Sequence, residues 1–369
     1  MRVVVTDGMM NKSLAVVRAI DDYASTIGVT STFPISVAGV SRCTDAQHWI
    51  RSGDDAGAYV ESLNRIIADH RYDQVLPVGG RSFELVSEYR SDLDAPVERI
   101  LPSRESMRVA VEKAKTYELA EELGVPTPTT ITVSSADDEA VARDTIGFPA
   151  VVKTGVETGT RFVRVVRSAD ELASALAAYR RDHAGDPLVQ EYLPGVGRGF
   201  FALYIDGVCV DGYTHRRIRE YPPEGGASAC AESTDDEELR AYSDRLLSAL
   251  DWHGVAMVEF KEARDGTPHV VEINPKFWGS LDLGIQSGLN FPRALLEYSA
   301  GREEFAFEFS SKRYSWPLSG DLTHAWRRPS SASTVLADLV SSRTHTNLRF
   351  SDPAPHVVEA LVTIVRQDL

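Results

Sequence analysis

The apolar positions of the first hundred residues change period several times. Val3, Val4 and Val5 form a β-branched run that stops at the turn pair Asp7-Gly8. Leu14, Val17, Ala19 and Ile20 then recur at near-helical spacing within residues 12–26. Residues 33–40 read as a strand. Residues 56–69 read as a helix with Tyr59, Leu63, Ile66 and Ile67 on one face, and 75–80 as a buried strand ending in Gly79-Gly80. Alternation of this kind predicts a parallel sheet with crossover helices. Ligands in such sheets bind beyond the carboxyl ends of the strands, which puts Asp7-Gly8 and Gly79-Gly80-Arg81 near a candidate substrate site.

Leu101-Pro102-Ser103 marks a boundary, with Ser103 or Ser106 able to cap a helix that runs through Lys113 to Leu123 and stops at Gly124. A second αβ pattern follows: a strand at 148–153, a helix at 168–180 and a strand at 187–192 that leads into Pro194-Gly195. From 199 the signals turn to strands, with Asp206-Gly207 as a hairpin turn between 200–205 and 208–213. A helix at 235–250 precedes strand 255–260, turn 264–267 and strand 269–274. The chain therefore divides into an αβ domain at 1–102, a core at 103–300 with a hinge near 190–195, and a C-terminal extension at 301–369 of unassigned role.

Composition narrows the function classes. A chain of 369 residues with 43% hydrophobic content can bury a large core. The formal net charge of -15 opposes binding to a nucleic acid backbone, while a local cationic cluster can still hold a nucleotide. Cys43, Cys209 and Cys230 are scattered and signal neither zinc nor disulfides. No stretch approaches the ~20 apolar residues of a membrane span. A cytoplasmic protein acting on small molecules is the expectation.

The hairpin at 255–274 carries the strongest chemical signal. Period-two geometry puts Glu272 and Asn274 on one face, and pairing around Asp265-Gly266 brings Glu259 opposite them. Two carboxylates and an amide oxygen suit magnesium or manganese, whereas buried together without a cation they are costly. Lys276, two residues beyond Asn274, adds a cation that can face a transferring phosphoryl group. His215, Arg216, Arg217 and Arg219 form a second cationic cluster suited to anions. Two glycine-rich stretches carry weaker signals. Residues 195–199 lack the strand–GxGxxG–helix context of a dinucleotide site and read as a flexible hinge, and residues 8–13 have the wrong spacing for a P-loop.

Residues 254–299, with GVAMVEF and HVVEINPKFWGS, resemble the metal-binding end of the ATP-grasp superfamily, most closely the branch of carbamoyl-phosphate synthase large subunits and biotin carboxylases. KAKTYELAEELGVPTP (113–128), FPAVVK (148–153), LVQEYLPG (188–195) and THRRIREYPPEGG (214–226) resemble further motifs of that superfamily, in the expected order. The resemblance implies an ATP-grasp fold of α/β (α+β) class preceded by a small parallel-sheet, Rossmann-like domain. It implies that Lys113 and Lys153 contact ATP phosphates and that Gln190, Glu191, Tyr192 and Leu193 hold adenine. A loop would bring His215 and Arg217 to the reacting groups, while Glu259, Glu272 and Asn274 hold the metal. Relatives often carry arginine where Lys276 stands, and lysine keeps the charge without the bidentate fork. The loop at 154–160 differs from the Gly/Ser-rich loops of relatives and would cover the phosphates through backbone amides.

The implied reaction is ligation of a carboxylate to an amine through an acyl phosphate, by an enzyme whose relatives are often homodimers. Two other readings stand beside it. One is a phosphotransferase or carboxylase using bicarbonate or another oxyanion, and the other is a nucleotide-binding regulator without turnover.

Overall fold

The computed structural model describes residues 1–50, 55–156, 162–223 and 226–367. The N-terminal third forms β1 (Arg2–Val5), α1 (Asn11–Ile20), β2 (Thr26–Ser31), β3 (Ala46–Trp49), α2 (Ala56–His70), β4 (Gln74–Leu76) and α3 (Gly80–Glu88). Its four strands pair in parallel in the order β3-β2-β1-β4, as the alternation predicts. The expected strand at 33–40 does not form. Pro34 lacks an amide donor, and Phe33 and Ile35 point to solvent, while Val37 and Ala38 reach the core from a turn. The strand is β2, where Ile27 and Val29 are buried.

The expected single helix at 103–123 is two: α4 (Arg104–Val111), capped by the Ser103 hydroxyl, and α5 (Lys113–Glu122). Glu112 between them is extended, with ψ of 98°, and bridges to Val156. The Lys113 amide meanwhile donates to the Gly155 carbonyl at 2.9 Å. A long-range contact thus overrides local helix propensity. Next come β5 (Thr130–Thr132), α6 (Ala136–Ile146), β6 (Ala150–Thr154), β7 (Val163–Val166), α7 (Ala169–Asp182) and β8 (Pro187–Glu191). These strands form an antiparallel sheet in the order β5-β8-β6-β7, packed on its helices through Val152, Val166, Leu172, Leu176 and Val189.

The remaining elements build a seven-stranded sheet. They are β9 (Gly197–Ile205), β10 (Val208–Tyr221), β11 (Ala227–Thr234), α8 (Glu237–Ala249), β12 (Gly254–Glu262), β13 (Pro268–Asn274), α9 (Leu281–Gln286), α10 (Phe291–Ser299), β14 (Arg313–Ser315), α11 (Leu322–Arg327), α12 (Ala332–Val340), β15 (Thr344–Thr346) and α13 (Ala354–Gln367). The sheet order is β13-β12-β9-β10-β11-β14-β15. Alternation along β9 divides its surroundings. Phe200, Ala202 and Tyr204 pack under α8, while Phe201 and Leu203 share a core with the N-terminal domain.

Residues beyond 300 are tied into this frame by buried ion pairs. Arg219 of β10 donates to Asp321 at 2.7 and 2.8 Å and to Asp338 of α12 at 2.6 Å. Burial works against the guanidinium charge, but these bonds outweigh it and hold the group protonated. Arg18 of α1 donates to Asp352 at 2.8 Å, and Asn11 to Glu359 at 2.7 Å. Replacing Arg219 by methionine leaves Asp321 buried without its cation. Stability in urea denaturation should then fall by about 3–5 kcal/mol.

Asp282 of α9 is buried among Trp316, Tyr314 and more distant arginines, and burial pushes its carboxyl up to about 6. Because the folded value is raised, ionisation of Asp282 opposes folding. The penalty is absent below the unfolded value near 4, grows between about 4 and 6, and is constant above that. Asp282→Asn should therefore stabilise the protein at pH 7 by about 2–3 kcal/mol in thermal or urea unfolding. The gain should vanish at pH 4.

Candidate active site

The face of the seven-stranded sheet that looks toward the N-terminal domain changes from apolar to charged within two residues. Direct cross-strand partners share a face. One row runs Asn274 (β13), Met257 (β12), Phe201 (β9) and Tyr213 (β10). The next runs Glu272, Glu259, Gly199 and His215, and continues to Ser233 of β11. The predicted pairing of Glu259 with Glu272 is the observed register.

Each carboxylate is met by a cation from another element. Arg217 of β10 donates to Glu259 at 2.6 Å and to Glu220 at 3.3 Å. Lys113 of α5 lies 3.2 Å from Glu272. Lys153, at the end of β6, donates to the Tyr117 hydroxyl at 2.7 Å, and that hydroxyl donates to the Val271 carbonyl at 2.7 Å. Three cations and three carboxylates thus sit together, most of them largely buried. Burial disfavours the Arg217 charge, and Glu259 and Glu220 more than offset that cost. Asn274 donates to Glu272 at 3.0 Å, which fixes the second carboxylate beside the amide. His215 is fully buried; burial and then Arg217 push its imidazole well below the usual histidine range, so it is neutral. Its Nδ1 is 3.4 Å from the Ser280 hydroxyl, while Nε2 has no partner.

Several sequence expectations change in detail. His215 and Arg217 stand on β10, which continues to Tyr221, and not on a loop. Residues 197–199 begin β9 and do not form a flexible hinge. Their glycines clear the face instead. A β-carbon at Gly197 would lie 2.8 Å from Arg217 Nη1, and one at Gly199 would lie 2.8 Å from the Phe201 ring. Of the hinge residues, Gln190 is inside the sheet and its side chain donates to the Thr130 hydroxyl at 2.7 Å. The Glu191 amide is committed to the Thr129 carbonyl at 2.8 Å. The main-chain groups of Tyr192 and Leu193 make no hydrogen bond among the described residues. Lys276 lies near Gly80 of the N-terminal domain, its Nζ 4.0 Å from where a β-carbon there would stand. Residues 157–160 of the expected phosphate-covering loop lie outside the described residues.

Two participants escaped sequence reasoning. Tyr117 is four residues after Lys113 on α5, the spacing that shares a helix face, and that signal was readable. Glu220 had no such signal, because its partner Arg217 is set by a β-bulge in β10.

The oxygen donors Glu259, Glu272 and Asn274 fit a magnesium ion. Among the described residues there is no group of three His, Cys, Asp or Glu able to hold a metal, because the amide supplies the third donor here.

Residues 184–316 match the protein family described as "ATP-grasp in the biosynthetic pathway with Ter operon". The large chain of carbamoyl phosphate synthase from Deinococcus radiodurans is 26% identical over 234 residues, which is 60% of this chain and 22% of that one. The biotin carboxylase–β,γ-ATP complex from Campylobacter jejuni superposes with a TM-score of 0.69 at 16% identity, covering 85% of this chain and 74% of that one.

The chain has the ATP-grasp fold, and residues 184–316 match an ATP-grasp family.

An L-amino acid ligase from Bacillus licheniformis shares the ATP-grasp fold with a TM-score of 0.63 at 16% identity, covering 82% of this chain and 75% of that one. The chain spans about a fifth of the length of the carbamoyl phosphate synthases it matches. No helix among the described residues is long and apolar enough to cross a membrane.

Arg217 holds Glu259 by an ion pair that a metal must displace. Arg217→Met should therefore tighten binding of manganese to the nucleotide-free protein by about tenfold or more, since a charge contact at this range is worth above ~1 kcal/mol. Titration calorimetry of both proteins checks this.

Proposed function

We propose that this chain is an ATP-dependent carboxylate–amine ligase that forms an acyl phosphate and releases ADP and phosphate. The observation that carries the reading is the single sheet face on which Glu259, Glu272 and Asn274 meet Lys113, Lys153 and Arg217. Charge-balanced and partly dry, such a face binds a polyphosphate with its metal and little else. Magnesium, held by Glu259, Glu272 and Asn274, would supply charge neutralisation at the β and γ phosphates.

The chain's own residues do the rest. Lys153, braced by Tyr117, and Lys113 hold the phosphates in line. The substrate carboxylate attacks the γ-phosphorus, its bond to the β,γ-bridging oxygen breaks, and ADP departs. Arg217 lies where negative charge develops on the transferring group, and Lys276 adds a point charge from the strand's exit. His215, neutral and with Nε2 unpartnered, can hydrogen-bond to a reacting oxygen without adding charge. The amine then displaces phosphate at the acyl carbon. No protein nucleophile is required. Tyr192 and Leu193 receive adenine, with Gln190 and Glu191 shaping the strand behind them. The cellular setting that fits these small-molecule substrates is the cytoplasm, and a homodimer is compatible with the reading.

The test is phosphate release from ATP and magnesium across a panel of amino acids and small carboxylic acids, with and without amines, with product masses recorded. Release that needs both partners and yields a product short of one water supports ligation. Release with bicarbonate or a carboxylate alone supports phosphoryl transfer or carboxylation instead. Glu272→Gln should lower turnover by about 10²–10³, the usual cost of one lost electrostatic contact to the transition state. Unchanged turnover in that variant would remove Glu272 from the metal site.

A further inference from the structure

The parallel sheet of the N-terminal domain holds a second feature aimed at the same site. β2 and β3 lie on one side of β1 and β4 lies on the other, so the topology switches between β1 and β4. Ligands bind in the crevice at such a switch, outside the carboxyl ends of the strands. Asp7 leaves β1 there, and Gly79 and Gly80 leave β4.

Asp7 is held in the left-handed region, with φ of 60°, at a cost of order 1 kcal/mol for a residue other than glycine. Its main-chain carbonyl is fixed by the Met10 amide at 2.9 Å and the Ser13 hydroxyl at 2.8 Å. Every donor to its carboxylate goes to one oxygen. Oδ2 accepts from the Gly79 amide at 2.7 Å and from the hydroxyls of Thr6 and Ser82. Oδ1 accepts from no described residue. Gly79 keeps the space beside it clear, because a β-carbon there would lie 2.6 Å from Oδ1. Lys276, two residues beyond Asn274, reaches over the adjoining Gly80. The crevice therefore opens on the phosphoryl end of the sheet face.

We infer that Oδ1 of Asp7 binds the ammonium group of the amine substrate, and that the amine is a primary, cationic one. This rests on the ligase reading above. A carboxylate whose second oxygen is saturated by three donors is fixed in direction, which suits it to orienting a nucleophile. In the step that follows, the ammonium passes one proton to Oδ1 and thence to water. The freed nitrogen lone pair forms the C–N bond at the acyl carbon, and the carbon–oxygen bond to phosphate breaks with its electron pair leaving on phosphate. Phosphate takes the second proton.

Hydroxylamine separates this proposal from the reading beneath it, because it is uncharged near neutral pH and traps acyl phosphates as hydroxamates. Amino acids serve as carboxylates, and amino acid amides serve as amines that carry an ammonium but no free carboxylate. Asp7→Asn should form hydroxamate within about threefold of the wild-type rate, while its KM for the amide rises about tenfold or more, the weight of one charged hydrogen bond. Ser82→Ala, which removes one of the donors to Oδ2 but keeps the carboxylate, should raise the KM for the amide by a smaller factor than Asp7→Asn does. A wild-type KM for the amide in Asp7→Asn overturns the proposal. So does an equal loss of both activities, since Asp7 would then serve only to brace Gly79 and α3. Hydroxamate without any amide turnover in the wild type overturns it too and leaves the acyl phosphate standing. Absence of hydroxamate with every carboxylate overturns the ligase reading itself, and this proposal with it.

Discussion

Two carboxylates facing each other across β12 and β13 cannot be buried without compensating charge, and much of this molecule is arranged to supply it. Glu272 takes Lys113 from α5, and Glu259 takes Arg217 from β10. For Lys113 to reach Glu272, the helix at 104–122 has to break at Glu112, and the bridge from Glu112 to Val156 brings the end of β6 alongside. That same contact delivers Lys153 to Tyr117. For Arg217 to cross β9 to Glu259, the strand beneath it must be bare, which accounts for the glycine at 197, while the one at 199 makes room for the Phe201 ring. Breaking either pair alone would leave a charge desolvated and unmatched, at a cost larger than that of most surface changes.

Arg217 is held from behind as well. Two residues on, across a register shift in β10, Arg219 turns to the opposite side and is clamped by Asp321 and Asp338. The segment beyond 300 is therefore part of the frame that fixes the charged strand, and β14 and β15 extend the sheet from the same side. Asp352 and Glu359 tie that segment to α1, so the N-terminal crevice and the charged strand are referred to one common anchor.

Legibility followed the range of the interactions. Strands and helices whose apolar period was undisturbed were readable, from α2 to the hairpin of β12 and β13, and period two with the turn at Asp265-Gly266 predicted the register of Glu259 with Glu272. The reading failed where a distant charge decided the local structure. Residues 214–221 resemble a loop of the superfamily, yet they continue β10, and Glu220 within the segment together with Glu259, Asp321 and Asp338 from elsewhere neutralises its arginines. Gly197 suggests a hinge because its reason, an arginine passing overhead, lies 20 residues away in sequence. The role of Tyr117 could be guessed from its spacing to Lys113, but not the direction of its hydroxyl.

The balance of charge also bears on order of events. Before loading, the face is close to neutral, so neither free phosphate nor a bare cation finds a strong unmatched field there. On the proposed reading, a nucleotide arriving with its metal would change this: the metal charge would take the place of Arg217 and Lys113 on the carboxylates, and the two freed side chains would meet the phosphates. Each exchange makes the other less costly, because a displaced arginine without a phosphate, or a phosphate without a displaced lysine, leaves a buried charge unpaired. Such an exchange would couple metal and nucleotide through the same two ion pairs.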